Sequence, residues 1–204
     1  MKSLLFLFLL IPILSCKNDG KTTDQVTPAD MYLKPDNSPA TDPTKLKIPN
    51  ACEMVTEAQL QAILNITGTV NIKEANDPGN VNAKSCFYKW DDLATPNAGI
   101  LIQIMTNPVY SEFPDYVSKF VAAKLTEGET VLGSDTPSTY KKFEAGGIVG
   151  SYSFDQSRFY WSLGNDFLFM LALNVTTLDE PKMVKAAEKI IEEVNKTFAT
   201  KVTK

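Results

Sequence analysis

Seven short apolar runs, each closed by turn residues, constrain this chain more than any other feature. They fall at about residues 70–75, 85–91 and 98–106 and then, beyond one helical stretch, at about 139–144, 147–154, 158–163 and 166–175. Asp77-Pro78-Gly79-Asn80 and Thr95-Pro96-Asn97 punctuate the first group, and Gly164-Asn165 is a two-residue hairpin signal in the second. Strands joined by so few residues pair antiparallel, because a parallel pair needs a long crossover. Three helices complete the set. Thr56 with Gln59 makes a capping box for a helix ending near Leu64, with Val55 placed to pack on Leu60. A second helix spans about 112–126, with Pro114 in its first turn and Phe113, Val117, Phe120, Val121 and Leu125 on one side. The last, about 180–199, carries the stripe Val184, Ala187, Ile191, Val194 and Phe198. The expected class is α+β: an antiparallel sheet of about six or seven strands with three helices packed mainly on one face.

Alternation along each strand divides the sheet residues into two sets. Tyr88, Trp90, Ile100, Ile102, Ile104, Phe159, Trp161, Phe167, Phe169 and Leu171 form the face that helices should cover. The other face collects Phe87, Lys89, Leu101, Gln103, Met105, Arg158, Tyr160, Leu168 and Met170. Aromatic rings, Met and one Arg among apolar neighbours have the composition of a recognition surface. Lys89, Gln103, Arg158 and Tyr160 are therefore the candidate binding residues, and a partly covered outer sheet face is the plainer alternative.

The N-terminus adds a location. Lys2 precedes the apolar run Leu4–Leu14, and small Ser15 precedes Cys16, the order of a bacterial secretory signal. The run is about half the ~20 residues a transmembrane helix needs. Ile13-Leu14-Ser15-Cys16 resembles the lipobox of bacterial lipoproteins. That resemblance implies a signal peptide over residues 1–15, cleavage before Cys16, and lipid on the Cys16 thiol and the new amine. Several acyl chains anchor a protein stably where one does not. Lys17-Asn18-Asp19 resembles a surface-export tag of some diderm bacteria, which implies the outer membrane or the cell surface, with a periplasm-facing anchor as the alternative. Residues 16–48, with Pro28, Pro35, Pro39 and Pro43 among polar residues, read as a disordered tether. Residues 49–204 then make one domain of about 155 residues, enough to bury a real core.

Composition removes most familiar chemistry. The chain has no histidine, so Ser-His-Asp and Cys-His nucleophiles and histidine metal ligands are absent. Loss of the leader takes Lys2 with it and leaves 19 basic against 24 acidic residues, a net −5 with no basic cluster, which argues against nucleic acid as a partner. With Cys16 acylated, Cys52 and Cys86 remain, and two thiols in an oxidising compartment pair most simply with each other. The runs Ala51-Cys52-Glu53-Met54-Val55-Thr56 and Ser85-Cys86-Phe87-Tyr88-Lys89-Trp90 resemble a loose group of uncharacterised two-cysteine bacterial lipoprotein domains, which implies a disulfide and a binding or accessory role without catalytic residues.

Two further stretches are weaker candidates. Gly146-Gly147-Ile148-Val149-Gly150 precedes a strand rather than a helix, so it marks a bulge or close strand packing instead of a phosphate loop. Asp91-Asp92 lacks the spacing of a calcium loop and reads as a solvated strand end. No catalytic residue, metal ligand set or cofactor is assigned. The expectation is a lipid-anchored, non-enzymatic envelope or cell-surface binding protein, held to the membrane by its lipid and recognising a protein or small ligand. A histidine-free hydrolase or lyase working through carboxylates, or a structural envelope component, are the alternatives. Cys16→Ala should shift the processed protein from the detergent phase to the aqueous phase on partitioning. Retention with lipid after signal cleavage would contradict the lipobox reading.

Overall fold

The capping box at Thr56 forms as the sequence predicts. Its hydroxyl accepts from Gln59 N–H while the Gln59 amide oxygen accepts from Thr56 N–H at 2.8 Å, and the helix α1 (Glu57–Leu64) starts there. The computed structural model describes residues 38–93, 95–130, 136–175 and 178–202; the leader, Cys16 and the tether up to residue 37 lie outside them. Beyond α1 come β1 (Asn71–Glu74), β2 (Ala83–Lys89) and β3 (Gly99–Met105). Next are α2 (Tyr116–Glu127), β4 (Lys141–Ala145), β5 (Ile148–Ser153), β6 (Arg158–Leu163), β7 (Phe167–Asn174) and α3 (Glu180–Val202). The class is α+β, with seven antiparallel strands in one sheet ordered β1-β2-β3-β7-β6-β5-β4. Among the described residues, no helix is long and apolar enough to cross a membrane.

One sheet face carries the main core. All ten residues expected on the covered face are buried there, packed with Met183, Ala187, Ile190, Ile191, Val194 and Phe198 of α3 and Leu60 of α1. Ring packing gives the core its geometry. Trp161 stacks on Phe169 at 5.1 Å between centroids, and Phe198 meets Phe167 and Phe169 edge-on at 4.9 Å each. The Trp161 indole N–H donates to Asn195 Oδ1 at 2.8 Å, so its burial leaves no donor unmet.

The helix α2 takes the other face. Val117 and Val121 bury against Leu168, with Met105, Tyr116 and Phe120 packed alongside. It begins later than the periodicity predicts. Pro114 precedes the N-cap Asp115 instead of entering the first turn, and Phe113 stays exposed outside the apolar stripe. Asn107 explains the delay, because its Nδ2 donates to Phe113 O at 2.6 Å and holds the chain in a turn.

Glycines and turns place the second meander. Gly146 and Gly147 connect β4 to β5 with φ of 56° and 82°, the left-handed pair of a tight hairpin. At Gly150 a Cβ would stand 2.4 Å from the Phe143 ring and 2.5 Å from Tyr160 O, so close strand packing requires glycine there. The hairpin between β6 and β7 has three linking residues, Gly164 to Asp166, rather than two, because Leu163 pairs with Phe167.

Residues 38–48, expected within the tether, lie on the domain. Thr41 N–H donates to Asp166 Oδ1 at 2.6 Å, Tyr110 hydroxyl donates to Ala40 O at 3.1 Å, and Leu46 and Ile48 pack against the core. Two apolar side chains and a paired backbone suffice to seat a segment that its overall composition marks as polar.

Cys52 and Cys86 form a disulfide with Cα atoms 5.0 Å apart, tying the 3-10 turn Ala51–Glu53 ahead of α1 to β2. The neighbouring Tyr88 hydroxyl donates to Ala51 O at 2.9 Å, and burial pushes its pKa up to about 12. Two links thus join the same turn to the same strand. Replacing both Cys52 and Cys86 with Ser should cost about 3–4 kcal/mol in chemical denaturation, the entropy of an open loop of this length. A double variant as stable as the parent would show that the bond contributes nothing.

Candidate functional site

The register assembles the outer sheet face row by row. Lys73, Phe87, Leu101, Ala172 and Arg158 stand opposite one another across five strands. The row on one side holds Asn71, Lys89, Gly99 and Asn174; the row on the other holds Ser85, Gln103, Met170, Tyr160 and Ser151. The helix α2 lies over the β5–β6 side of these rows and reaches Met105 at the end of β3; among the described residues no helix covers β1, β2 or the Leu101 end of β3.

The four expected binding residues therefore separate. Lys89 and Gln103 are on the bare side. The Lys89 ammonium stands 5.1 Å from the Phe87 ring centroid, and the Gln103 amide donates to Ser85 Oγ at 2.9 Å. Arg158 sits at the boundary, its guanidinium 3.8 Å from Glu129 Oε1. Tyr160 is buried beneath α2, with its ring 5.2 Å from that of Phe120 and 6.0 Å from that of Tyr140. While α2 is seated, Tyr160 offers a partner no surface.

A shallow groove of about 300 Å³ marks the bare side. Leu101, Ala172 and the exposed Phe87 ring supply its apolar surface, and Lys89, Asn97 and Asn174 its polar edge. Gly99 lies within it because a Cβ there would stand 2.7 Å from Tyr88 O, and the missing side chain keeps the groove open. The Asn174 amide donates to Asn97 O at 2.6 Å, which ties the end of β7 to the β2–β3 turn. Lys73, with the exposed strand β1, stands beside the groove, and among the described residues neither Lys73 nor Lys89 has an ion-pair partner.

A charged and aromatic cluster holds α2 in place at the boundary. The Lys124 ammonium lies 5.1, 5.4 and 5.5 Å from the ring centroids of Phe120, Tyr160 and Tyr140 and 3.1 Å from Glu129 Oε2. The Tyr140 hydroxyl donates to the same carboxylate. Burial pushes the Glu129 carboxyl upward, but Tyr140, Lys124 and Arg158 together outweigh it and hold the group below the usual carboxylate range. Burial, then the Glu129 hydrogen bond, raises Tyr140. Strand alternation singles out Tyr160 and Arg158, whereas Glu129 is brought in only by its isolated bridge to Ser138, for which the sequence carries no periodic signal. Among the described residues, no group of His, Cys, Asp and Glu is placed to hold a metal ion.

Glu129→Gln should therefore destabilise the domain by about 1–2 kcal/mol at pH 7. The folded-state pKa of Glu129 lies below its unfolded value, so its contribution is complete above the ordinary value of 4.5 and is lost as pH falls through the folded value. Denaturation curves of parent and variant should converge in that acid range; a gap independent of pH would contradict this role for the carboxylate. Compared with protein-family models, with curated proteins and with solved structures, the chain matches none, so the functional reading rests on the chemistry of its own surface.

Proposed function

We propose that this is a lipid-anchored, non-enzymatic binding protein of the bacterial envelope or cell surface that uses the bare half of its outer sheet face. The observation that carries the reading is the exposed Phe87 ring, set beside Leu101 and Ala172, with no helix over it among the described residues and bordered by Lys73, Lys89 and Arg158. The row from Lys73 to Arg158 crosses four strand gaps, roughly 19 Å, the length of about six extended residues. Its ends are cationic and its middle is apolar. The matching partner is an amphipathic segment of another envelope protein, with acidic groups flanking an apolar or aromatic centre. Such a segment would bury the Phe87 ring and pair the lysines, which needs no rearrangement of the sheet.

A photoreactive residue in place of Leu101, in the lipidated protein on its own cells, should give one discrete adduct, and the same probe in place of Lys119 on the exposed side of α2 should not. Phe87→Ser combined with Lys89→Glu should abolish that adduct while leaving Tm nearly unchanged, since both side chains are exposed. Loss of an interface anchor typically weakens binding by about 2 kcal/mol or more. An adduct that survives the double variant would move the site off this face.

A further inference from the structure

A second hollow lies at the pole where α1 ends, the β2–β3 turn passes and α3 begins. It encloses about 330 Å³ and belongs to the helix-covered side of the sheet, so it is distinct from the outer groove. Ile63, Leu64, Ile66, Val175 and Leu178 give it apolar walls, and Trp90 completes them. Trp90 is 8% exposed, yet its indole N–H has no acceptor among the described residues, in contrast to that of Trp161. It is not one of the sealed, unpartnered side-chain atoms either, so it can be reached from outside. A nearly buried donor left unmet beside a cavity is a place for an acceptor.

The charges at the rim say which acceptor. Lys182, Lys185 and Lys189 recur at i, i+3 and i+7, and therefore share one side of α3 above the hollow. Lys182 is engaged by Asp179 at 3.0 Å, whereas Lys185 and Lys189 have no ion pair among the described residues. Asp91 and Asp92 stand at the same rim, and the Asp92 carboxylate accepts from Thr95 N–H at 3.0 Å. With Lys182 neutralised by Asp179, the Lys185 and Lys189 ammonium groups remain without an ion pair among the described residues, and one anionic group between them would meet both. We infer that this hollow binds a small organic monocarboxylate with a compact apolar or aromatic body. The carboxylate meets Lys185, Lys189 and the Trp90 N–H, and the body lies against the Trp90 ring and the aliphatic wall. The volume is at the small end of ligand pockets, which suits a body the size of one ring.

The chain has only two tryptophans, so indole signals report the site directly. In full-length protein held in a neutral detergent and labelled at tryptophan nitrogen, 3-phenylpropanoate should move the Trp90 indole resonance saturably and leave that of Trp161 in place. The neutral amide, 3-phenylpropanamide, should bind at least about tenfold more weakly, the loss expected for one charge-assisted contact of about 1.4 kcal/mol. Lys185→Gln with Lys189→Gln should lower carboxylate affinity to the level of the amide without changing Tm or amide binding. A stationary Trp90 signal would overturn the inference. So would equal affinity for carboxylate and amide, indifference to the double variant, or tighter binding of phenyl phosphate than of the carboxylate.

Discussion

The pairing of β3 with β7 is the constraint on which the rest of the molecule depends. These strands are remote in sequence, and their register, Ile102 opposite Leu171 and Ile104 opposite Phe169, joins a three-strand and a four-strand meander into one sheet. It aligns the aromatic residues of β6 and β7 with the isoleucines of β3 on a single face, which α3 then covers. A slip of one residue would send both sets to opposite sides and leave α3 nothing to cover. The same register sets Leu101 beside Ala172 and so creates the outer row at all.

The division of the outer face is a consequence of one crossover. The chain leaves β3 in the middle of the sheet and must reach β4 at its far edge, and α2 makes that passage across the outer surface. A helix of twelve residues spans about 18 Å, less than the width of seven strands. It seals the β5–β6 side and cannot reach β1 and β2. The bare half is therefore built into the topology, and its lysines and the exposed Phe87 ring are what water meets there.

Much of this fold was legible in the sequence. Period-two alternation put all ten inner-face residues on the right side, and the stripe from Val184 to Phe198 located α3 because both signals are local. Thr56 and Gln59 announced α1 for the same reason. The seat of α2 was not legible, since an apolar stripe says that a helix is covered but not which sheet face covers it. Tyr160 therefore looked like surface and lies instead beneath Phe120. Glu129 and the unmet Trp90 N–H carry no sequence signal because each gains its meaning only from residues distant in the chain. Leu46 and Ile48 were hidden differently, as two apolar residues inside a proline-rich polar stretch whose average describes neither of them.

Binding at the outer face requires that one half of it be sealed and the other half open. Solvent paramagnetic relaxation with a neutral nitroxide, read at methyl groups, measures that division directly. Leu101 and Ala172 should relax strongly, while Leu168 beneath α2 and Val121 on the buried side of α2 should be protected. Protection of Leu101 and Ala172 equal to that of Leu168 would contradict the proposed site, because it would mean that the face is already covered within the protein itself.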